Sequence, residues 1–305
     1  MPRRTSLAFS AYLPLTASMS LVGLYVALSK PLVAALPVFA LAFLRFGIAA
    51  VAMLPFTRRA PAEAPLSATE HRLLFVQSFF GNFLFSICLL NGMALTTATA
   101  AGVVLSTLPA AVALLSWLVL REKLSRRVLA AIALAVGGVT LLQFAKSDGA
   151  AINTATWIGN LFILAAVLCE ATYVIIGKRL AATRTPLRVS ALINLWGLVL
   201  ITPFGLWQLQ QIDLARLSAS TWGLLVFYSL AASLVAVWLW MTGLKHLPAN
   251  QAGVFTVALP IAAALVGVLA LGESFTPLHA AALLLAASGV VLITTARADA
   301  AAAPV

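Results

Sequence analysis

The chain has 305 residues, of which 63% are hydrophobic and only 9% charged, and it carries a formal net charge of +11. So few charges exclude a soluble domain, where about a quarter of residues are charged, and leave an integral membrane protein. The positive balance does not indicate nucleic acid, because the basic residues sit in short loops between apolar runs and not on one solvated face.

Hydropathy predicts ten spans, at residues 7–29, 37–56, 73–93, 98–120, 127–144, 156–177, 187–207, 221–243, 249–271 and 276–295. Each is near the roughly 20 residues that cross a bilayer as a helix. The start "PRRTSLAFS" reads as a basic N-terminus before an uncleaved first span. Residues 57–72, the longest connection, hold Pro61, Pro65 and two glutamates and read as a solvated linker. Cys88 and Cys169 fall within apolar runs and read as small hydrophobes, not as a disulfide. Residues 296–305 read as a flexible tail.

The basic residues predict the orientation. Of the 19 Lys and Arg, Lys30, Lys146 and Arg216 fall on one side and Arg45 falls inside a span; all the others fall on the opposite side. The positive-inside rule makes that opposite side cytoplasmic, with both termini on it.

The chain repeats itself. "AGVVLSTLPAAVALLSWLVLRE", 101–122, returns as "AGVFTVALPIAAALVGVLALGE", 252–273, with 11 of 22 positions identical at an offset of 151. Gly92 and Gly243, and Gly138 and Gly289, keep the same offset, and "YVALSKPL" at 25–32 resembles "YVIIGKRL" at 173–180. Two five-span units, 7–144 and 156–295, follow. Because five is odd, the second lies upside down relative to the first. The predicted fold is therefore an all-α integral membrane protein with ten transmembrane helices in a 5+5 inverted repeat, an arrangement of secondary transporters.

Pro109 and Pro260 sit near the middle of spans four and nine. Each removes a backbone donor and frees the carbonyl four residues earlier, at Leu105 and Thr256. One reading places both kinks at a central cavity, where freed carbonyls are tolerated; the other is that they only shape packing.

These stretches, together with "PVFALAFLRFGIAA" in span two and the small-residue spans ending in "GGV" and "SGV", resemble the drug/metabolite transporter superfamily, EamA type. The resemblance covers nearly the whole chain. It implies an alternating-access carrier in a bacterial inner membrane, with a cavity lined mainly by spans one, three, four, six, eight and nine. It also implies cargo drawn from amino acids, metabolites or toxic organic compounds.

Charges inside a bilayer are usually functional. Glu170 is the one acid inside a span and Arg45 the one base. Each lies eight residues from its own end of its span, about 12 Å deep from opposite faces of a core about 30 Å thick, so their heights differ by only several ångströms. Glu170 admits three readings: a proton carrier coupling export to the proton gradient, a seat for a cationic substrate, or the partner of a buried base. Arg45 matches a basic position common in the family and reads as a structural charge.

The remaining candidates for the cavity are Tyr25, Gln77, Ser78, Asn82, Ser106, Tyr173, Tyr228, Trp238 and Thr256. Gln77, Ser78 and Asn82 share one face of span three, and amides on an apolar helix need partners.

The function read from the sequence is a secondary-active transporter, working as an exporter of small metabolites, amino acids or toxic organic compounds. The alternatives are a membrane-embedded enzyme and a channel-like permease. No enzyme, cofactor or metal is expected: His71, His246 and His279 lie at span edges, and no metal-ligand spacing or nucleotide loop occurs. The expected partners are a small-molecule substrate and the lipid bilayer. A monomer suffices, since one chain carries both halves, and a homodimer stays open.

Overall fold

The structure, a computed structural model, describes residues 3–58, 65–120, 126–144, 154–180, 184–244 and 253–302. Among the described residues every regular element is helical, the secondary structure that satisfies its own backbone in lipid. In chain order the helices are α1 (Arg3–Ala35), α2 (Val38–Thr57), α3 (Ala68–Ser78), α4 (Phe85–Leu95), α5 (Ala98–Leu105), α6 (Leu108–Leu120), α7 (Arg126–Phe144), α8 (Thr154–Leu180), α9 (Pro186–Leu209), α10 (Ala219–Leu230), α11 (Ala236–Leu244), α12 (Ala258–Leu269) and α13 (Pro277–Ala302). Seven stretches among the described residues are long and apolar enough to cross a membrane, and shorter apolar helices cover Leu129–Gly138, Phe255–Leu269 and Pro277–Leu292. The chain is a multi-pass membrane protein. Val51, Leu54, Val199, Trp207, Leu269 and Leu284 are exposed, as large apolar side chains are when lipid is the solvent.

Both ends extend beyond the predicted spans. Helix α1 continues to Ala35 and takes in Lys30, which the hydropathy boundary left in a loop. Helix α13 continues to Ala302, past the end of the predicted span at residue 295. The segment "ARADAAA" is alanine-rich, and alanine has the highest intrinsic helix propensity.

Two kinds of irregularity interrupt the helices, and each occurs twice. A π-helical segment at Phe79–Leu84 joins α3 to α4, and another at Ala231–Val235 joins α10 to α11. The α-helix breaks at Ser106–Thr107, ahead of α6, and a 3-10 turn at Gly253–Val257 precedes α12. Both pairs recur at close to the 151-residue offset that aligns the repeated sequence.

The helix pairing is reciprocal. Helix α2 packs on α9 and α7 on α13, each against its counterpart in the other half, and α5 packs on α12. Helix α1 lies against α11 and α12, while α8 lies against α4 and α6. The main buried cluster sits where α1, α4, α5, α8 and α12 meet, around Val26, Leu89, Met93, Val103, Val104, Ile163 and Val167.

Ion pairs join the two halves at two places. At one, the loop after α12 turns through Gly272, whose φ of 66° is the left-handed conformation glycine adopts most readily. That turn presents Glu273 to the first turn of α5. The Glu273 carboxylate accepts from the backbone N–H of Ala98 (2.7 Å) and Thr99 (3.0 Å), from the Thr99 hydroxyl (3.0 Å) and from Lys30 Nζ (3.1 Å). Lys30 also donates to the Thr96 carbonyl at 3.0 Å. A carboxylate at a helix N-terminus satisfies donors that the helix itself leaves open. At the other place, Ser67 and Glu70 form a capping box at the start of α3. Arg184, just ahead of α9, grips the same Glu70 through Nε to Oε1 (2.8 Å) and Nη2 to Oε2 (2.9 Å).

Burial raises the pKa of Glu273, but the Thr99 and Ala98 amides and the Lys30 ammonium outweigh it, so its carboxyl titrates below the ordinary carboxylate value. A depressed folded pKa stabilises the fold above the unfolded pKa, and that stability fades as pH falls through the folded value. Glu273→Gln should therefore lower stability at neutral pH by about 2 kcal/mol, the scale of a hydrogen bond to a charged group. It should also flatten the acid limb below about pH 4.5. Thermal unfolding of the purified protein across pH, followed by tryptophan fluorescence, measures both; an unchanged acid limb in the variant would refute the cap.

Candidate functional site

The π-helical segment between α3 and α4 is the local feature from which the site is built. A π-segment puts an extra residue into one turn and re-aims the side chains around it. Here Ser78 Oγ and Asn82 Nδ2 both donate to the Ile193 carbonyl of α9, at 2.6 and 2.8 Å. The ring of Tyr173, from α8, lies against Gly81 so closely that a Cβ there would overlap ring atoms. Glycine is thus required for α8 to bring Tyr173 inward.

Helix α9 supplies a second polar patch. Asn194 Nδ2 donates to the Phe46 carbonyl of α2 at 3.0 Å, Ser233 Oγ donates to Asn194 Oδ1 at 3.3 Å, and Ser190 Oγ donates to the Ser233 carbonyl at 3.1 Å. Ser233 lies in the second π-segment, so both π-segments are held by polar side chains or carbonyls of α9.

Between these patches sits Arg45, carried by α2 and only 7% exposed. Its Nη1 donates to Ser86 Oγ of α4 at 2.8 Å. The guanidinium carbon lies 4.6 Å from the centroid of Phe46 and 5.5 Å from that of Tyr228, distances at which a cation is attracted to a ring face. Its Nε has no hydrogen-bond partner among the described residues. Tyr228 meets Tyr25 of α1 edge to face at 5.7 Å. Glu170 and Tyr173 come from one side of α8, three residues apart. The Glu170 carboxyl lies within electrostatic reach of Arg45, Tyr25 and Tyr173. Among the described residues it accepts no hydrogen bond and joins no ion pair.

The structure thus brings Tyr25, Arg45, Glu170, Tyr173 and Tyr228 together, from α1, α2, α8 and α10. Ser78 and Asn82 are used to satisfy a backbone carbonyl of α9. Gln77 is 1% exposed and its Oε1 is without a partner among the described residues. Ser106 donates to the Val103 carbonyl in its own broken turn. Thr256 lies in the matching 3-10 turn. Pro109 and Pro260 are the second and third residues of α6 and α12, directly after the breaks. Trp238 is 54% exposed and stands outside the buried cluster. Cys88 and Cys169 are free thiols. Among the described residues no three His, Cys, Asp or Glu side chains converge to hold a metal.

Three polar residues of this region were missed from the sequence: Ser86, Ser190 and Asn194. A signal existed for Asn194, a lone amide in the apolar run "ALINLWG"; the reasoning that singled out Asn82 applies to it equally. Ser86 and Ser190 carry none, since a single serine in a span can bond its own helix.

The profile of the EamA-like transporter family matches the chain twice, over residues 9–144 and 157–295. The chain is 35% identical over 270 residues to the uncharacterized transporter YetK of Bacillus subtilis (strain 168), covering 88% of this chain and 82% of that protein. It is 31% identical over 207 residues to the uncharacterized transporter YwfM of the same organism, covering 68% and 66%. A crystal structure of a protein 20% identical in sequence superposes with a TM-score of 0.64 over 94% of this chain and 96% of the other, which is a likeness of fold. With its profile found in both halves and relatives that are themselves transporters, the chain belongs to the EamA-like transporter family.

Proposed function

We propose that this protein is a secondary-active exporter of small organic solutes, working by alternating access in a bacterial inner membrane with both termini cytoplasmic. Ten spans in two five-helix units, 7–144 and 156–295, mirrored across the bilayer, form the carrier. The reciprocal helix pairing and the doubled irregularities support that arrangement, because two related halves can exchange roles to open on either face. The observation that carries the reading is Glu170: a mid-span carboxyl that has no hydrogen-bond partner among the described residues and lies within electrostatic reach of Tyr25, Tyr173 and Arg45.

Glu170 is the coupling residue. A carboxyl at that depth binds a proton when the site faces the outside and releases it to the cytoplasm, and only the protonated or substrate-loaded form completes the crossing. The test is transport in proteoliposomes, with counterflow from a cell extract used to find the cargo. Glu170→Gln should abolish uphill accumulation driven by a pH gradient while leaving solute exchange partly intact. Uphill transport that survives this substitution rules out proton coupling through Glu170.

The ion pairs that join the halves act as alternate latches in this reading. Glu273 with Lys30 holds the external end closed, and Glu70 with Arg184 holds the cytoplasmic end. Cysteines substituted for Lys30 and Glu273, or for Glu70 and Arg184, in a chain lacking Cys88 and Cys169, should each block net transport when cross-linked and release it on reduction. Full transport with either pair locked refutes the latches.

Single cysteines in that background also test the topology. Arg126→Cys and Lys178→Cys should react with membrane-impermeant maleimide only from the cytoplasmic side, and Arg216→Cys only from outside. Opposite sidedness of the first two would remove the mirrored arrangement.

A further inference from the structure

We infer that Thr276 and His279 form a proton-sensitive catch: while the imidazole is neutral they pin the loop that carries Glu273, and protonation of His279 loosens that loop. The catch stands apart from the carrier reading. Only its consequence for transport rests on that reading, through the ion pair placed at the external end.

The stretch "TPLH", 276–279, leads into α13. The His279 backbone N–H donates to Thr276 Oγ1 at 3.4 Å, and the Thr276 backbone N–H donates to His279 Nδ1 at 3.2 Å. This is the reciprocal exchange of a capping box, with histidine where glutamate or glutamine ordinarily stands. The ordinary form is present too, in Ser67 and Glu70 at the start of α3, so the same device is built once with an acid and once with a base. A backbone N–H only donates, so Nδ1 accepts and the imidazole is neutral in this structure. The Thr276 hydroxyl also lies 2.8 Å from Nδ1. His279 is 5% exposed, and Phe275 stacks on its ring with centroids 6.0 Å apart.

Protonation puts a hydrogen on Nδ1. The Thr276 hydroxyl can turn and accept it, but the Thr276 amide loses its acceptor, and a cation is set against the positive end of a helix. The box is therefore closed above histidine's ordinary pKa of about 6.5, and its contribution is lost as pH falls below it. Only Ser274 and Phe275 separate Glu273 from Thr276. The Glu273 backbone N–H donates to the Gly267 carbonyl at 2.8 Å, which ties the loop to α12; the box ties it to α13. The first tie holds no titrating group, and the second does.

The neighbouring charges leave the response to His279. Helix α13 packs on α5, α6, α7 and the turn at Gly253–Val257. The described residues of α5, α6 and that turn carry no titratable side chain. Helix α7 runs antiparallel to α13, with Gly138 against Ala282 and Ala131 and Ile132 clustered with Leu292, so its Arg126 and Arg127 stand at the end away from His279. Arg297 and Asp299 are at the far end of α13 itself. Glu273 titrates below the ordinary carboxylate value and so stays charged while histidine titrates, with Lys30 as its partner. Lys146 and Asp148 lie outside the described residues.

The test places a nitroxide on Ser274→Cys, an exposed position, in the full chain lacking Cys88 and Cys169. Label mobility is read by electron paramagnetic resonance in lipid nanodiscs, from about pH 8 to about pH 5, a range that brackets the histidine titration. The ratio of mobile to immobile label should rise about five- to tenfold on acidification, the population change that loss of one helix cap produces. His279→Gln keeps an acceptor that does not titrate and should hold the label immobile at every pH. His279→Ala should leave it mobile at every pH. The titration with His279 in place stands even if a variant does not fold. No change in mobility across the range would overturn the inference, as would a change that survives in His279→Gln. Counterflow in proteoliposomes of equal pH inside and out then tests the consequence: His279→Gln should slow exchange at about pH 6 and leave it unchanged at about pH 8. If the label responds and exchange does not, the catch stands and the external latch falls.

Discussion

In the hydrocarbon core a backbone group without a partner has no water to turn to. That constraint explains where this protein puts its polar side chains. At the break before α6 and at both π-segments, a hydroxyl or amide is found at the irregular turn. Ser106 and Thr107 donate to the carbonyls of Val103 and Val104. Ser78 and Asn82 share the carbonyl of Ile193, and Asn194 takes that of Phe46. Much of the polar inventory of the spans is therefore committed to backbone carbonyls, of the same helix or of a neighbour. What stands out by contrast, among the described residues, are polar atoms without a partner: the Nε of Arg45, the Oε1 of Gln77 and the carboxyl of Glu170.

The acids divide in the same way. Glu273 and Glu70 lie near helix starts, and each is engaged by a helix N-terminus and by a cation from the other half. Their placement completes local structure and ties the halves together at the same time. Glu170 does neither. Among the described residues it accepts no hydrogen bond and joins no ion pair, and the charge within its electrostatic reach is that of Arg45.

The spans were legible because twenty apolar residues in a row have one physical meaning, and the repeat was legible because glycine, proline and glutamate matches are rare in so apolar a chain. Partnerships were not legible. The sequence placed Glu273 in a loop, and only the fold shows that loop turning through Gly272 to reach the start of α5. Arg45 read as structural, and nothing in the sequence showed that its guanidinium rests on Ser86 and on the rings of Phe46 and Tyr228. Trp238 read as lining because aromatic residues serve both as binding walls and as lipid contacts, and sequence period alone does not tell these apart. Glu122, Lys123 and His246 lie outside the described residues.

The doubled irregularities separate what the fold requires from what the sequence varies. At the break before α6 the chain reads "STLP", and at the matching break before α12 it reads "VALP". The first copy quiets its loose carbonyls with two hydroxyls. The second has no hydroxyl at those positions, and a 3-10 turn, with i→i+3 hydrogen bonds, precedes its helix. Proline and the leucine before it are what the copies share, and proline alone removes the donor that would have continued the helix. The π-segments repeat the lesson with no identical residue: "FFGNFL" and "LAASLV" align at the common offset, and each offers one polar side chain, Asn82 or Ser233, to α9. Backbone irregularity recurs here while the means of stabilising it diverge. A shape kept through such divergence is the property the two halves have in common, and Glu170 and Arg45, which break the likeness between them, are where the chain departs from its own symmetry.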